Sequence, residues 1–204
     1  MVTSRWTAVP ARTASPRRRG PVLEQAILEA ALEQLSTVGW GGLTMEGVAA
    51  AAQTGKAAVY RRWPSKEDLV VHALRAGLPR LDSVPELGSV RDDLLELCGR
   101  MREAMYSRPG FALRAVLHEC DTTTAERFHD VIFEGVVNPG VQLIKEVIRR
   151  GIERGEVRSG ATGAYVCDVI PAMLMYRSKV CGSEWTDEEF EAFIDQVMVP
   201  LLRR

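Results

Sequence analysis

The feature that most constrains the fold is a set of closely spaced breaks in an otherwise helical apolar rhythm between residues 21 and 78. From Pro21 onward, Val22, Ala26, Ile27, Ala30, Ala31 and Leu35 recur at three- and four-residue steps, with Glu24, Glu29 and Glu33 mostly on the other side. That period predicts an amphipathic helix to about Thr37. Pro21 suits its first turn, and Gly39, Gly41 and Gly42 end it. Thr44 is then a plain N-cap for a short helix over Met45–Ala51, because Gly47 stands where a capping box needs Glu or Gln. Gln53-Thr54-Gly55 interrupts the chain before a third helix over Lys56–Arg62, which Trp63-Pro64 stops. Ser65 caps a fourth, with Glu67 and Asp68 in its first turn and Leu69, Val70, Ala73 and Leu74 as its stripe. Short helices with so few residues between the second and third are the layout of a helix-turn-helix unit, in which the third helix reads double-stranded DNA.

The rest of the 204 residues supports the same fold class. Aromatics are only 6%, and Ala, Leu and Val supply most of the apolar complement, which suits aliphatic helices. Pro79 and the polar stretch 82–88 mark the passage into longer helices, expected at about 89–106, 109–121, 125–134 and 139–154. Two more are expected at about 161–180, kinked or divided at Pro171, and at about 187–203, opened by a capping box from Thr186 to Glu189. The chain is therefore expected to be all-α, with a flexible basic arm at 1–20, a DNA-binding domain at 21–78 and a helical body at 79–204. No apolar stretch reaches the length of a membrane span, and residues 1–20 lack the apolar centre of a secretory signal, so a cytoplasmic protein is expected. Cys98, Cys120, Cys167 and Cys181 are scattered without metal-ligand spacing and read as buried reduced thiols. His118-Glu119-Cys120-Asp121 looks superficially catalytic, but neighbouring helical positions do not converge, so neither an enzyme nor a metal site is expected.

The formal charge of -1 conceals a division. Residues 1–80 carry 11 Lys and Arg against 6 Asp and Glu, a balance of +5; residues 81–204 carry 15 against 21, a balance of -6. A cationic end on an acidic body is compatible with a nucleic-acid contact confined to that end. Lys56 is the best groove-facing cation, Ala57 and Ala58 let the helix approach closely, and Tyr60 with Arg61 or Arg62 could clamp phosphates. Adjacent helical residues diverge by about 100°, so the two arginines face different ways. Arg17, Arg18 and Arg19 either follow the DNA or solubilise the chain end. Trp63 reads as a structural seal.

The run from Leu43 to Leu69, LTMEGVAAAAQTGKAAVYRRWPSKEDL, resembles the signature of the tetracycline-repressor (TetR/AcrR) family of bacterial regulators. The resemblance implies that Thr44 begins the second helix and that Val48 and Ala49 pack inside. It also implies that Lys56 to Tyr60 form the recognition helix, and that Tyr60, Trp63 and Lys66 close the domain and contact the DNA backbone. Two departures stand in the turn: Gln53 replaces a usual Gly, and Gly55 stands where Ser or Thr caps the recognition helix, leaving Thr54 as a possible substitute. Ala58 also replaces a frequent hydroxyl residue.

For the body the resemblance implies a ligand-binding, dimerising domain and a pseudo-palindromic operator. No cofactor is expected, but an unidentified small hydrophobic or amphipathic effector is. Its pocket is expected among Met101, Met105, Tyr106, Phe111, Leu117, Phe128, Tyr165, Met173 and Tyr176, with Leu113, Val137 and Val169 as further candidates. The last two helices resemble the pair forming a four-helix homodimer seam, expected at Ala164, Ile170, Leu174, Phe190, Phe193, Ile194 and Val197. The expected function is a ligand-responsive repressor; the alternative is an all-α adaptor or small-molecule binder without specific DNA binding.

Overall fold

The computed structural model describes residues 19–84, 86–119, 122–181 and 185–203. Arg5, Arg12, Arg17 and Arg18 of the expected arm lie outside them, as does Cys120. Helix α1 spans Gly20–Gly42, so the arm expected to reach residue 20 gives way to helix at Gly20 itself. Pro21 lies in the first turn, and Gly39 breaks the helix at φ 71°. Helices α2 (Met45–Ala51), α3 (Lys56–Tyr60) and α4 (Lys66–Gly77) follow. Their starts are set as expected: Thr44 Oγ1 accepts from Gly47 N–H at 3.1 Å, and Ser65 Oγ accepts from Asp68 N–H at 3.1 Å. Ile27, Ala31 and Leu35 of α1 bury their faces against Val48, Val59 and Leu69, while Val22 overhangs the core and stays exposed. Trp63 seals this core, its indole N–H donating to His72 Nδ1 at 3.1 Å.

The body begins with α5 (Val90–Tyr106), α6 (Arg108–Glu119) and α7 (Thr122–Ile132), and continues with α8 (Asn138–Glu153) and α9 (Ala164–Tyr176). It closes with α10 (Asp187–Phe193) and α11 (Val199–Leu202). The break expected around 107–110 narrows to Ser107, because Pro109 and Gly110 enter the first turn of α6. Gly110 is required there: a Cβ would press on the Met105 and Ala104 carbonyls. Pro171 does not divide α9, which runs through it to Tyr176. The gap expected between α7 and α8 is bridged by a π turn, Phe133–Val137; two more follow, Arg177–Cys181 after α9 and Ile194–Met198 between α10 and α11. Pro139 and Pro200 each fall just after such a turn, where the wider ring accommodates a residue that cannot donate to the ladder.

A second core joins Leu94, Leu97, Ile144, Ile148, Ile170 and Ile194. At its edge Trp185 stacks on Phe190 at 4.5 Å, and Thr186 and Glu189 form the expected capping box. Cys98 is fully buried here, and burial pushes its thiol up to about 12. Cys167 is also buried, whereas Cys181 is exposed, against the expectation for all four thiols. Asp93, fully buried, accepts from Leu87 N–H at 2.7 Å and pairs with Arg154 at 3.2 Å. Among the described residues no helix is long and apolar enough to cross a membrane.

The two cores do not divide at residue 79. Ala112, Leu113 and Val116 of α6 and Phe128 and Val131 of α7 belong to the N-terminal core, with Phe128 edge-on to Trp40 at 5.4 Å. Helix α6 is clamped to α1 at both ends. Arg108 pairs with Glu33 at 3.0 Å, and Glu119 accepts from Gly41 N–H at 3.0 Å. Gly39 permits this second clamp, because a side chain there would overlap the Glu119 carboxylate.

Candidate nucleic-acid interface and effector cavity

The turn between α2 and α3 fixes how the third helix is presented. Gln53 takes φ 55°, Gln53 N–H returns to Ala50 O at 3.0 Å and Thr54 N–H to Ala49 O at 2.9 Å. This is a Schellman closure with glutamine at the left-handed position that favours glycine. Helix α3 then starts at Gly55 without a side-chain cap, so Thr54 does not supply the cap its neighbour lacks; it is half-buried in the turn.

On either side of that turn Thr44, Lys56, Ala57, Tyr60 and Arg61 are exposed, while Ala58 packs partly against the core. Lys56 is not a free cation: its ammonium pairs with the Glu46 carboxylate and lies 5.4 Å from the Tyr60 ring. The contact holds the Glu46 carboxyl below its ordinary range and raises Lys56. Glu46 was missed by sequence reasoning, because nothing in its spacing from Lys56 shows that the turn folds one onto the other. Arg61 and Arg62 diverge as expected: Arg61 faces solvent, while Arg62 donates to Ala58 O at 3.0 Å and approaches Glu24 at 4.0 Å. Lys66, expected on a phosphate, is partly buried. It donates to Trp40 O at 3.1 Å and sits 4.1 Å above the Trp40 ring, tying α4 to the end of α1.

In the body a cavity of about 170 Å³ opens between α5, α6, α8, α9 and the Leu78–Leu81 connection. Met101, Met105, Leu113, Leu117 and Val137 line it. Other expected pocket residues fall elsewhere. Phe128 is turned into the N-terminal core; Tyr165 is 91% exposed; Tyr176 and Phe111 are exposed; Met173 packs against the C-terminal core; Tyr106 lies beside Phe111 at 6.2 Å and is not on the wall. An apolar side chain on a helix reads alike whether it faces a cavity, a core or solvent, so periodicity could not sort them. Sequence reasoning missed Arg114, His118, Ser178 and Lys179, which form the polar part of the wall.

The expected subunit seam needs a similar correction. Ile170, Leu174, Phe190, Phe193 and Ile194 are buried inside their own chain, because the inner stripes of α9 and α10 and the turn after α10 pack on α5 and α8. Ala164 and Val197 remain exposed. The outer face of α9 and its π turn instead presents Tyr165, Ala172, Met175, Tyr176 and Val180 to solvent.

Comparison with known proteins gives this geometry its context. Residues 27–73 match the family described as bacterial regulatory proteins, tetR family, and residues 84–197 match the tetracyclin repressor-like C-terminal domain. The chain is 34% identical over 181 residues to an uncharacterized HTH-type transcriptional regulator of Mycobacterium tuberculosis, covering 89% of this chain and 88% of that protein. It is 30% identical over 190 residues to the DNA-binding transcriptional repressor TetR of Mycobacteroides abscessus, covering 91% and 96%. Its fold is similar to that of NalD, the secondary repressor of the MexAB-OprM multidrug efflux pump in Pseudomonas aeruginosa, with TM-score 0.64 and 18% identity over 89% of this chain and 96% of that one. With an exposed third helix held by a capped helix-turn-helix and a C-terminal domain of matching type behind it, the chain belongs to the TetR family of DNA-binding transcriptional regulators.

Proposed function

We propose that this regulator is a homodimeric repressor released from its operator by a small amphipathic effector. The observation carrying the reading is that α6 serves two interiors at once. Leu113 and Leu117 line the cavity, while Ala112 and Val116 lie in the core of the DNA-binding domain and Glu119 grips α1 at Gly41. An effector that displaces α6 therefore moves the reader, and its differential affinity for the two arrangements sets the coupling, on the order of 1–3 kcal/mol in such systems. Two-fold pairing through the outer face of α9 would bring two α3 helices to successive major grooves about 34–36 Å apart. Cytoplasmic residence follows from this role.

Lys56, Tyr60 and Arg61 are the proposed DNA contacts of α3, with Thr44, Thr54 and Ala57 beside them; Lys56 would exchange Glu46 for phosphate. Selection of bound DNA from a random pool tests the reading. A two-fold symmetric site is expected, and effector candidates should compete it away. Arg61→Ala should weaken binding to every sequence alike and flatten the salt dependence by about one unit. Recovery of no preferred sequence would remove the reading.

A further inference from the structure

Among the described residues the charge on the cavity wall is of one sign. Arg114 and His118 stand one turn apart on α6, and across from them Ser178 and Lys179 sit on the π turn that ends α9. Arg114 Nη1 reaches Ser178 Oγ at 3.4 Å and Lys179 Nζ reaches Leu117 O at 3.4 Å, so both cations bridge α6 to that turn. The guanidinium face of Arg114 lies over Phe111 at 4.3 Å and Tyr106 at 4.9 Å, which orients its edge. Among the described residues no Asp or Glu lines the cavity, and neither Arg114 nor Lys179 forms an ion pair. Elsewhere in the body Arg91, Arg102, Arg149, Arg150, Arg154 and Arg177 each face a carboxylate. The other described residues of the wall are methionine, leucine, valine, isoleucine, proline, alanine and glycine.

Resting on the effector-responsive reading above, we infer that the effector is an anionic amphiphile: an apolar body lying among Met101, Met105 and Val137, with a carboxylate or phosphate head held by Arg114 and Lys179. An apolar hole with two donors of the same sign on its wall selects such a molecule over a neutral or cationic one of equal size, because a cation there would meet like charge in a partly desolvated site. The head group, drawn between α6 and the turn after α9, replaces the weak Ser178 and Leu117 contacts and shifts α6, the helix shared with the reader.

Calorimetric titration of the full chain with decanoate, decyl phosphate, decanol and decyltrimethylammonium tests this, with DNA binding followed in the same samples. Both anions should bind at least tenfold more tightly than decanol, the tighter one identifying the head, and decyltrimethylammonium should bind most weakly. Arg114→Met and, separately, the exposed Lys179→Met should each weaken the anions at least fivefold and leave decanol unchanged. Equal affinity for decanol and the anions, or anion affinity unaltered in both variants, overturns the inference. If decanol or decyltrimethylammonium alone releases DNA, effector control stands and the anionic assignment fails. If the anions bind but DNA affinity stays constant, the head-group site stands and effector control fails.

Discussion

The DNA-binding domain and the body enclose their apolar side chains with different tolerances. In the reader, α2 and α4 start on side-chain caps, α2 ends in a Schellman closure, and Trp63 and Lys66 have their polar atoms bonded inside the domain. In the body, among the described residues, lie all three π turns, the cavity, and the buried polar atoms without a hydrogen-bond partner, Tyr106 Oη, Arg177 Nε and Trp185 Nε1. Widened turns beside a cavity mark a structure with other arrangements within reach. A reader must hold α3 in one orientation, whereas a body that answers an effector, as proposed above, must yield to it. The contrast is a division between fixed and adjustable parts, joined by α6.

The sharpest way to break that division is Phe128→Ala. Phe128 belongs to the body by sequence and to the reader by packing, so its loss should cost about 3–5 kcal/mol and unfold the reader earlier, read by urea denaturation. A transition that moves in the body alone would show the shared core to be wrong. Glu119→Ala comes next. It removes the clamp at Gly41, and thermal denaturation should show a loss of about 1 kcal/mol together with a smaller response of DNA affinity to effector. Unchanged coupling would place the link elsewhere along α6.

Gln53→Gly tests the fixed part in the opposite direction. At φ 55° glycine lacks the steric penalty of glutamine, so the reader should gain roughly 0.5–1 kcal/mol despite glycine's greater unfolded-state freedom. The smallest effect belongs to acid. Arg149 and Arg150 hold Glu146 down at about 2 against an ordinary 4.5. A carboxylate depressed on folding lends its stability above the unfolded value and loses it as pH falls through the folded one, so the body should weaken between about 4.5 and about 2. Because the pair is largely solvated the loss should be roughly 0.5 kcal/mol, absent in Glu146→Gln.

What was legible in the chain follows how local each contact is, on both sides of that division. Thr44, Ser65 and Thr186 with Glu189 announce helix starts because a cap is a contact within four residues, and local contacts are written locally. Gln53 showed as a departure at the turn, and its positive φ is what the usual glycine would supply. The body hid more. Phe193 and Ile170 look the same in sequence whether they meet a second subunit or their own α5 and α8, and Phe128 gives no sign that it crosses into the reader. Lys56 and Lys66 read as cations for phosphate because their partners, Glu46 and the Trp40 carbonyl, are brought near only by the tertiary fold. Arg114 and Lys179 went unremarked because they are 65 positions apart and line one cavity that no pattern announces.

The π turn at Phe133–Val137 carries one more consequence. It inserts a residue between α7, which sends Phe128 and Val131 into the reader, and α8, which turns Pro139, Gly140 and Val141 to the cavity. Deleting one residue there, Gly135 for instance, would restore an ordinary α-helix and leave the faces on either side nearly in register, because the wider turn already absorbs the extra residue. Phe128 and Val131 on one side and Pro139, Gly140 and Val141 on the other would keep their faces, and the loss would fall on Gly135, Val136 and Val137, which line the cavity from the turn itself. A single residue at this point thus reshapes one stretch of the cavity wall while the helices on either side hold their packing.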